Sequence, residues 1–146
     1  MENKNINSSC CYTRKVYYYE TDRMQIVHHS NYIRMFEEAR VWFFDKLCLN
    51  YCSLEKMGLW LPLTDAHANY RSFLKYDERF YISVKLDSYN GCRMKISYVV
   101  YKEDGSVAAD GYTDHCFTDP EMKILRIAKK YPEIHEKLRK SLDISE

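Results

Sequence analysis

The segment YYETDRMQIVHHSNYIRMFEEARVWFFDKLC, residues 18–48, carries the pattern that decides the fold. Its second part, residues 31–48, has the spacing of a helix, with apolar residues over most of the circumference and a narrow polar stripe formed by Arg34, Glu38 and Asp45. A surface helix shows one apolar face, so a helix of this composition must be covered on most sides by other structure. The sequence therefore predicts a long buried helix over residues 31–48.

Segments outside this helix alternate with a period of two, which is typical of strands. Asn90-Gly91 and Asp104-Gly105 are hairpin signals, and they predict a three-residue loop over 89–91, with Gly91 left-handed, and a two-residue loop over 104–105. An antiparallel sheet wrapped around a long central helix accommodates both patterns, so the predicted class is α+β. The predicted strands are residues 12–20, 60–73, 79–88, 92–102 and a segment that ends near residue 118, and shorter helices are predicted over 52–58 and 131–142.

The composition indicates one ordinary globular domain, residues 1–146. The 22 basic and 21 acidic residues give a net charge of +1, which does not favour nucleic acid as a partner. Residues 1–9 are polar and are predicted to be disordered, and residues 131–146 are predicted to form a C-terminal helix and tail. No apolar run is long enough to insert into a membrane.

The six cysteines predict no metal site and no disulfide framework. No pair has C-x-x-C spacing, and no histidine set completes a zinc site. Residues 1–12 lack the apolar region of a signal peptide. We therefore expect reduced thiols in a cytoplasmic protein, with no cofactor and no metal.

The side chains best suited to catalysis lie in the loop before the predicted helix. This loop contains Asp22, His28, His29 and Ser30. A helix start presents unpaired N–H groups that can hold a developing oxyanion. A carboxylate beside them can act as nucleophile or general base. An aspartate in a polar loop is, however, more often a turn or cap residue, and Ser30 is a common cap type. No G-x-S-x-G motif supports a serine hydrolase.

The segment 18–32, followed by Phe36-Glu37-Glu38-Ala39-Arg40, resembles the signature of the 4-hydroxybenzoyl-CoA thioesterase branch of the hotdog superfamily, which includes the Tol-Pal-associated acyl-CoA thioesterases. The likeness spans roughly residues 12–120. It implies a hotdog fold with strand order 1-3-4-5-2, hydrolysis of an acyl-CoA substrate, and a homodimer or homotetramer with active sites between subunits.

The resemblance also implies roles for individual residues. Asp22 falls on the catalytic carboxylate, and His29 falls on a histidine beside the thioester, with the amides around His29 and Ser30 holding the carbonyl oxygen. Tyr32 is expected to line the pocket or to pack beneath it, and His28 is expected to have a structural or pocket role.

Other matches are less direct. Glu37, Glu38 and Arg40 are interpreted as structural ion pairing, although another hotdog branch uses a helix carboxylate for catalysis. Gln25 stands where the family usually has Gly, and Phe73 stands where Pro is common, so the loop and the acyl pocket are expected to differ there. The candidate cations for the phosphates of CoA are Arg71, Lys75, Arg93 and Lys95.

Four alternatives remain from the sequence: a thioesterase for acyl-carrier protein, a non-catalytic acyl-CoA-binding hotdog protein, and, less well supported, a hotdog dehydratase and a purely structural interaction protein.

Overall fold

The computed structural model describes residues 8–144 and contains one five-stranded sheet with four helices. The strands are β1 Tyr12–Lys15, β2 Leu63–Tyr70, β3 Arg79–Tyr89, β4 Arg93–Lys102 and β5 Val107–Cys116. The helices are α1 Ser30–Lys46, α2 Tyr51–Lys56, α3 Ile127–Lys130 and α4 Pro132–Ile144, with short 3-10 helices at Ser8–Cys10 and Tyr18–Glu20.

The strand order is β1-β3-β4-β5-β2, which confirms the predicted order and the α+β class. β1 pairs antiparallel with β3, so that Tyr12 lies opposite Ile82 and Lys15 lies opposite Arg79. β2 forms the other edge of the sheet, and nearly all of its side chains are exposed.

The first strand is shorter than predicted. It ends at Lys15, and the chain then forms the 3-10 helix Tyr18–Glu20, in which the Glu20 carboxylate accepts the Tyr17 amide at 2.8 Å. The run of aromatic residues that suggested a longer strand, Tyr17 to Tyr19, is exposed here.

Both hairpin loops differ from the predictions. β3 ends at Tyr89 and β4 begins at Arg93, so the loop is 90–92 rather than 89–91, although Gly91 does have a positive φ of +94°. In the second hairpin, β4 ends at Lys102 and β5 begins at Val107, so the loop is 103–106 rather than 104–105, and the Lys102 amide donates to the Ser106 carbonyl at 2.8 Å. Of the residues predicted to be disordered, 1–7 lie outside the described range, whereas Ser8–Cys10 form a turn.

The chain contains two compact units. The first comprises residues 8–40, His67–Val84 and Tyr98–Gly111. In its core the ring of Phe36 stacks on that of Tyr98, with centroids 4.5 Å apart and planes 6° apart. Gly111 is in very close contact with the backbone here, because a Cβ at this position would lie 2.0 Å from the His67 carbonyl oxygen.

The second unit comprises Val41–Ala66, Lys85–Ser97 and residues 112–144. Its core contains Phe44, Leu54, Leu86, Phe117 and Leu138, all nearly inaccessible to solvent. The amphipathic helix α4 is held in this unit by a hydrogen bond of 2.6 Å between the Tyr89 hydroxyl and His135 Nδ1.

Helix α1 has 17 residues and is buried along one side, where Met35, Phe36 and Ala39 are fully inaccessible. Its opposite side, including Arg34, Glu37, Val41 and Asp45, is exposed in the single chain. None of the helices within residues 8–144 combines the length and apolar character needed to cross a lipid bilayer.

Candidate active site

Asp22 begins a tight turn that closes a small hairpin. Its amide donates to the Ile26 carbonyl at 2.9 Å, and its own carbonyl accepts the Gln25 amide at 2.9 Å. A bridge between Thr21 and Val27 continues the pairing on the next residues. The half-buried Asp22 carboxylate accepts the amide of Met24 through Oδ1 at 2.8 Å, so this side chain stabilises the turn that carries it.

Gln25 occupies the left-handed position of this turn, with φ of +64°. A three-residue hairpin loop requires positive φ at this site, which is why glycine is favoured there. Gln25 therefore takes the left-handed conformation that favours glycine, and the hairpin bonds on either side of it are kept.

The second arm of the hairpin runs directly into helix α1. The Glu20 carbonyl oxygen accepts both the His28 amide at 2.8 Å and Asn31 Nδ2 at 2.9 Å. The amides of Asn31 and Tyr32 then donate to the carbonyls of His28 and His29, at 3.0 and 3.3 Å. The base of the Asp22 hairpin and the first turn of α1 are thus joined through one carbonyl group.

His28, rather than Ser30, supplies the side-chain cap at the helix start. Its Nδ1 lies 2.8 Å from the Ser30 hydroxyl and accepts the Ser30 amide at 3.3 Å. The His28 ring also packs on that of His29, with centroids 4.1 Å apart. His28 therefore has a structural role at the helix start, and Ser30 lies directly beside it.

The backbone amide and the imidazole of His29 have different surroundings. Among the hydrogen bonds within residues 8–144, none is donated by the His29 amide, whereas the amides on either side of it are engaged. Its imidazole is exposed, and its carbonyl accepts the Tyr70 hydroxyl at 3.3 Å. The His29 amide is therefore the backbone donor at this helix start that an incoming oxygen could use.

Aromatic side chains border the helix start. Tyr32 is buried, and Tyr70 at the end of β2 packs edge-on against it at 5.3 Å and against His29 at 6.3 Å. Burial, together with the neighbouring Tyr70, raises the pKa of Tyr32 to about 12. Sequence reasoning missed Tyr70, and its only signal was its position at the end of a predicted edge strand.

The acidic residues of α1 have separate environments. Glu38 accepts Arg14 Nε at 2.8 Å and the Tyr12 hydroxyl at 2.9 Å, which confirms its interpretation as a structural ion-pairing residue. Glu37 is exposed. Arg40 is buried and donates to the Tyr98 hydroxyl at 3.2 Å.

The four candidate cations for phosphate groups also differ. In the first unit, Arg71 forms an ion pair with Asp110 at 2.9 Å, and Lys75 is exposed. In the second unit, Arg93 and Lys95 line a cavity of about 330 Å³. In the part of the chain that the structure describes, no group of three His, Cys, Asp or Glu side chains is arranged to hold a metal ion.

The strand order, together with a helix whose first turn follows an aspartate hairpin, defines the class as an α+β protein of the hotdog fold. The chain belongs to the thioesterase-like superfamily, whose family model matches residues 16–142. This membership places the chain among the thioester hydrolases.

Comparison with individual proteins agrees with the family. A relative from Aquifex aeolicus (strain VF5), named "Putative esterase", is 40% identical over 123 residues, covering 84% of this chain and 94% of the relative. A Bacillus subtilis (strain 168) protein named "Putative acyl-CoA thioesterase YneP" is 30% identical over 128 residues, covering 87% and 93%. The crystal structure of DHNA-CoA thioesterase from Staphylococcus aureus has a TM-score of 0.85 at 30% identity, covering 89% of this chain and 88% of that one.

Proposed function

We propose that this chain is an acyl-CoA thioesterase of the 4-hydroxybenzoyl-CoA and Tol-Pal-associated type, with Asp22 as nucleophile or general base. The observation that carries the proposal is the bonding of the Asp22 hairpin to the start of α1, beside the His29 amide. The names of the Bacillus subtilis relative and of the Staphylococcus aureus structure support an acyl-CoA substrate. The signature over residues 18–40 supports the branch.

In this proposal the thioester carbonyl oxygen accepts the His29 N–H, which stabilises the oxyanion as the carbonyl carbon is attacked. In one route the Asp22 carboxylate attacks, the carbon–sulfur bond breaks to release CoA thiolate, and water hydrolyses the resulting mixed anhydride. In the other route Asp22 takes a proton from the water that attacks the carbonyl. The His29 imidazole orients substrate or water, and Tyr32 and Tyr70 border the acyl group.

The phosphates of CoA require cations, and the four candidates have different surroundings. Arg71 already neutralises Asp110, whereas Arg93 and Lys95 both line a cavity of about 330 Å³. A cavity of this size is at the lower end of the range for small-molecule sites. Within the second unit, Arg93 and Lys95 therefore remain the candidates for a phosphate contact, and Lys75 remains the candidate within the unit that contains Asp22.

We further propose that the chain is one hotdog domain that acts as a homodimer or homotetramer, in which assembly covers α1. The edge strand β2 and the exposed side of α1 support self-association, because an uncovered strand edge readily pairs with another chain. Six free cysteines support a cytoplasmic location. Sedimentation equilibrium tests the assembly, and a monomer at micromolar concentration would contradict it.

The test of the function is thiol release from a panel of aromatic, short-chain and long-chain acyl-CoAs. Asp22→Asn keeps an oxygen that can accept the Met24 amide, so the turn is retained while the charge is lost. The matched control is Asp119→Asn. Asp119 accepts the Glu121 amide through Oδ1 at 2.9 Å in a turn of the same kind.

We expect Asp22→Asn to lower kcat by at least about 100-fold, the usual contribution of a positioned acid or base, and Asp119→Asn to leave it unchanged. Full activity of folded Asp22→Asn would refute the role of Asp22. Tight acyl-CoA binding without turnover by the wild type would favour a non-catalytic binding protein. Faster turnover of carrier-protein thioesters than of CoA thioesters would favour the acyl-carrier-protein alternative.

A further inference from the structure

Arg14 in β1 uses every N–H of its guanidinium. It donates to the Glu20 carboxylate from both terminal nitrogens, at 2.7 and 2.9 Å. It also donates to the Glu38 carboxylate from Nε at 2.8 Å and from a terminal nitrogen at 3.0 Å. The fifth hydrogen goes to the Lys15 carbonyl at 2.9 Å. Two carboxylates are thus held by the two sides of one planar group, an arrangement that lysine cannot reproduce.

The two carboxylates belong to the two segments that form the candidate site. Glu20 stands two residues before Asp22, and its carbonyl oxygen accepts the amide of His28 and Nδ2 of Asn31 at the start of α1. Glu38 lies on α1 itself, two turns after that start. Arg14 therefore connects the base of the hairpin to the helix through side chains, in addition to the connection through the backbone.

Within this cluster Arg14 and Glu20 are shielded from solvent, whereas the Glu38 side chain is 36% exposed. The side chains of Arg14 and Glu20 are 11% and 4% exposed. Burial alone would lower the pKa of Arg14, but its hydrogen bonds to Glu20 and Glu38 raise it overall, so the cation persists. The guanidinium also lies 4.2 Å from the ring centroid of Tyr17, which covers it from outside. Because the buried guanidinium of Arg14 is bonded to both carboxylates, the Asp22 hairpin and α1 have little freedom to shift relative to each other.

We propose that Arg14 is a positioning residue for the thioester hydrolysis, fixing the hairpin that carries Asp22 relative to the first turn of α1. The inference rests on the proposed function, because it acts through Asp22 and the His29 amide. Arg14 itself touches no reacting atom. Its effect is on the alignment of attacking group and oxyanion donor, to which turnover is sensitive at a displacement of about 1 Å.

The test is a kinetic double-mutant cycle on the full chain with an acyl-CoA that the wild type hydrolyses. Arg14→Lys keeps the positive charge and loses the two-sided geometry. We expect it to lower kcat about 10- to 100-fold with little change in KM. If Arg14 acts through Asp22, then Asp22→Asn lowers kcat by a much smaller factor in the Arg14→Lys background than in the wild type.

The matched control is Arg79→Lys. Arg79 donates to the Thr13 hydroxyl at 3.2 Å and so joins β3 to the same strand β1, away from the hairpin. We expect unchanged kcat for this variant. Near-ultraviolet circular dichroism and melting temperature report whether each variant is folded at the assay temperature, which separates misalignment from loss of active protein.

The inference is overturned if folded Arg14→Lys has an unchanged kcat. It is also overturned if the fold-changes in kcat of Arg14→Lys and Asp22→Asn simply multiply in the double variant. Either result leaves the proposed function standing. If the wild type hydrolyses no acyl-CoA, both the inference and the proposed function are refuted. If Arg14→Lys does not fold, Glu20→Gln carries the same cycle, because it weakens one side of the cluster and keeps the bond to Glu38. If the fold-changes in kcat of Glu20→Gln and Asp22→Asn multiply in the double variant, the inference is equally overturned.

Discussion

Gln25 and Met122 hold the same backbone conformation, with φ of +64° and +66°, in two turns of the same design. Each donates its amide to the carbonyl of the residue three positions earlier, Asp22 or Asp119, at 2.9 and 3.0 Å. In both turns the aspartate carboxylate also accepts the amide two residues further on. An aspartate at this position is therefore explained by turn chemistry alone, and what distinguishes Asp22 is the helix start that its hairpin leads into.

Replacement of Gln25 by glycine should stabilise the protein. A side chain in the left-handed region costs about 1 kcal/mol or more, and glycine removes that cost while adding entropy to the unfolded chain. We expect Gln25→Gly to raise the free energy of unfolding by about 0.5 kcal/mol and the β-branched Gln25→Val to lower it by about 1 kcal/mol. Urea unfolding measures both. A less stable glycine variant would show that the Gln25 side chain makes a favourable contact that exceeds the strain.

Gly111→Ala should be among the most damaging single substitutions. The new Cβ would lie 2.0 Å from the His67 carbonyl oxygen and 2.8 Å from a ring carbon of Phe36, so the backbone itself would have to move. We expect a loss of about 3 kcal/mol or more, the size of effect seen for severe overpacking. Gly91→Ala is the comparison, since its φ is +94° and nothing lies within 4 Å of the new methyl group. It should cost only about 1 kcal/mol, and equal losses would contradict the steric explanation.

The elements with strong local patterns could be predicted from the sequence. The helix expected over 31–48 is Ser30–Lys46, and the strands of the meander match to within a few residues, because apolar alternation and helical spacing are local properties. The errors arise where a side chain bonds to the backbone. Asn90 Oδ1 accepts the amides of Cys92 and Arg93, which moves the hairpin loop by one residue.

The candidate site also divides into a part that could be predicted from the sequence and a part that could not. The loop that contains Asp22 and His29 could be located from the sequence, because polar and titratable residues are concentrated before a helix. The partners of Arg14 could not, since the tertiary fold brings to its guanidinium both Glu20, six residues later, and Glu38, 24 residues later. Tyr70 is 41 residues from His29 in sequence, and only the pairing of β2 within the sheet brings them together.

The contact between His28 and Ser30 should behave as a helix cap. His28→Ala removes the acceptor of the Ser30 amide, and caps of this kind contribute about 1 kcal/mol. Ser30→Ala keeps that amide and loses the hydroxyl contact of 2.8 Å, so it should cost less. In the His28→Ala background, Ser30→Ala should cost almost nothing, because the hydroxyl has already lost its partner. Thermal unfolding of the four proteins measures the cycle, and additive losses would show that the two side chains act independently.

The stability of the protein should fall as pH rises from about 10 to about 12. The pKa of Tyr32 is raised to about 12 in the folded state, first by burial and then by the nearby Tyr70. An unfolded tyrosine ionises near pH 10, so in this window the unfolded chain binds fewer protons and becomes relatively more favourable. The contribution of Tyr32 is fully present below pH 10 and is lost as pH approaches 12.

Tyr32→Phe removes this titration. Between pH 9.5 and 11.5 the variant should lose less free energy of unfolding than the wild type, by about 1–2 kcal/mol. Tyr18→Phe is the control for the loss of a tyrosine hydroxyl, because Tyr18 is 77% exposed. Urea unfolding at closely spaced pH values gives the three curves. Parallel curves for the wild type and Tyr32→Phe would mean that the Tyr32 hydroxyl ionises at its ordinary pH in the folded protein, which would require solvent to reach the helix start beside His29.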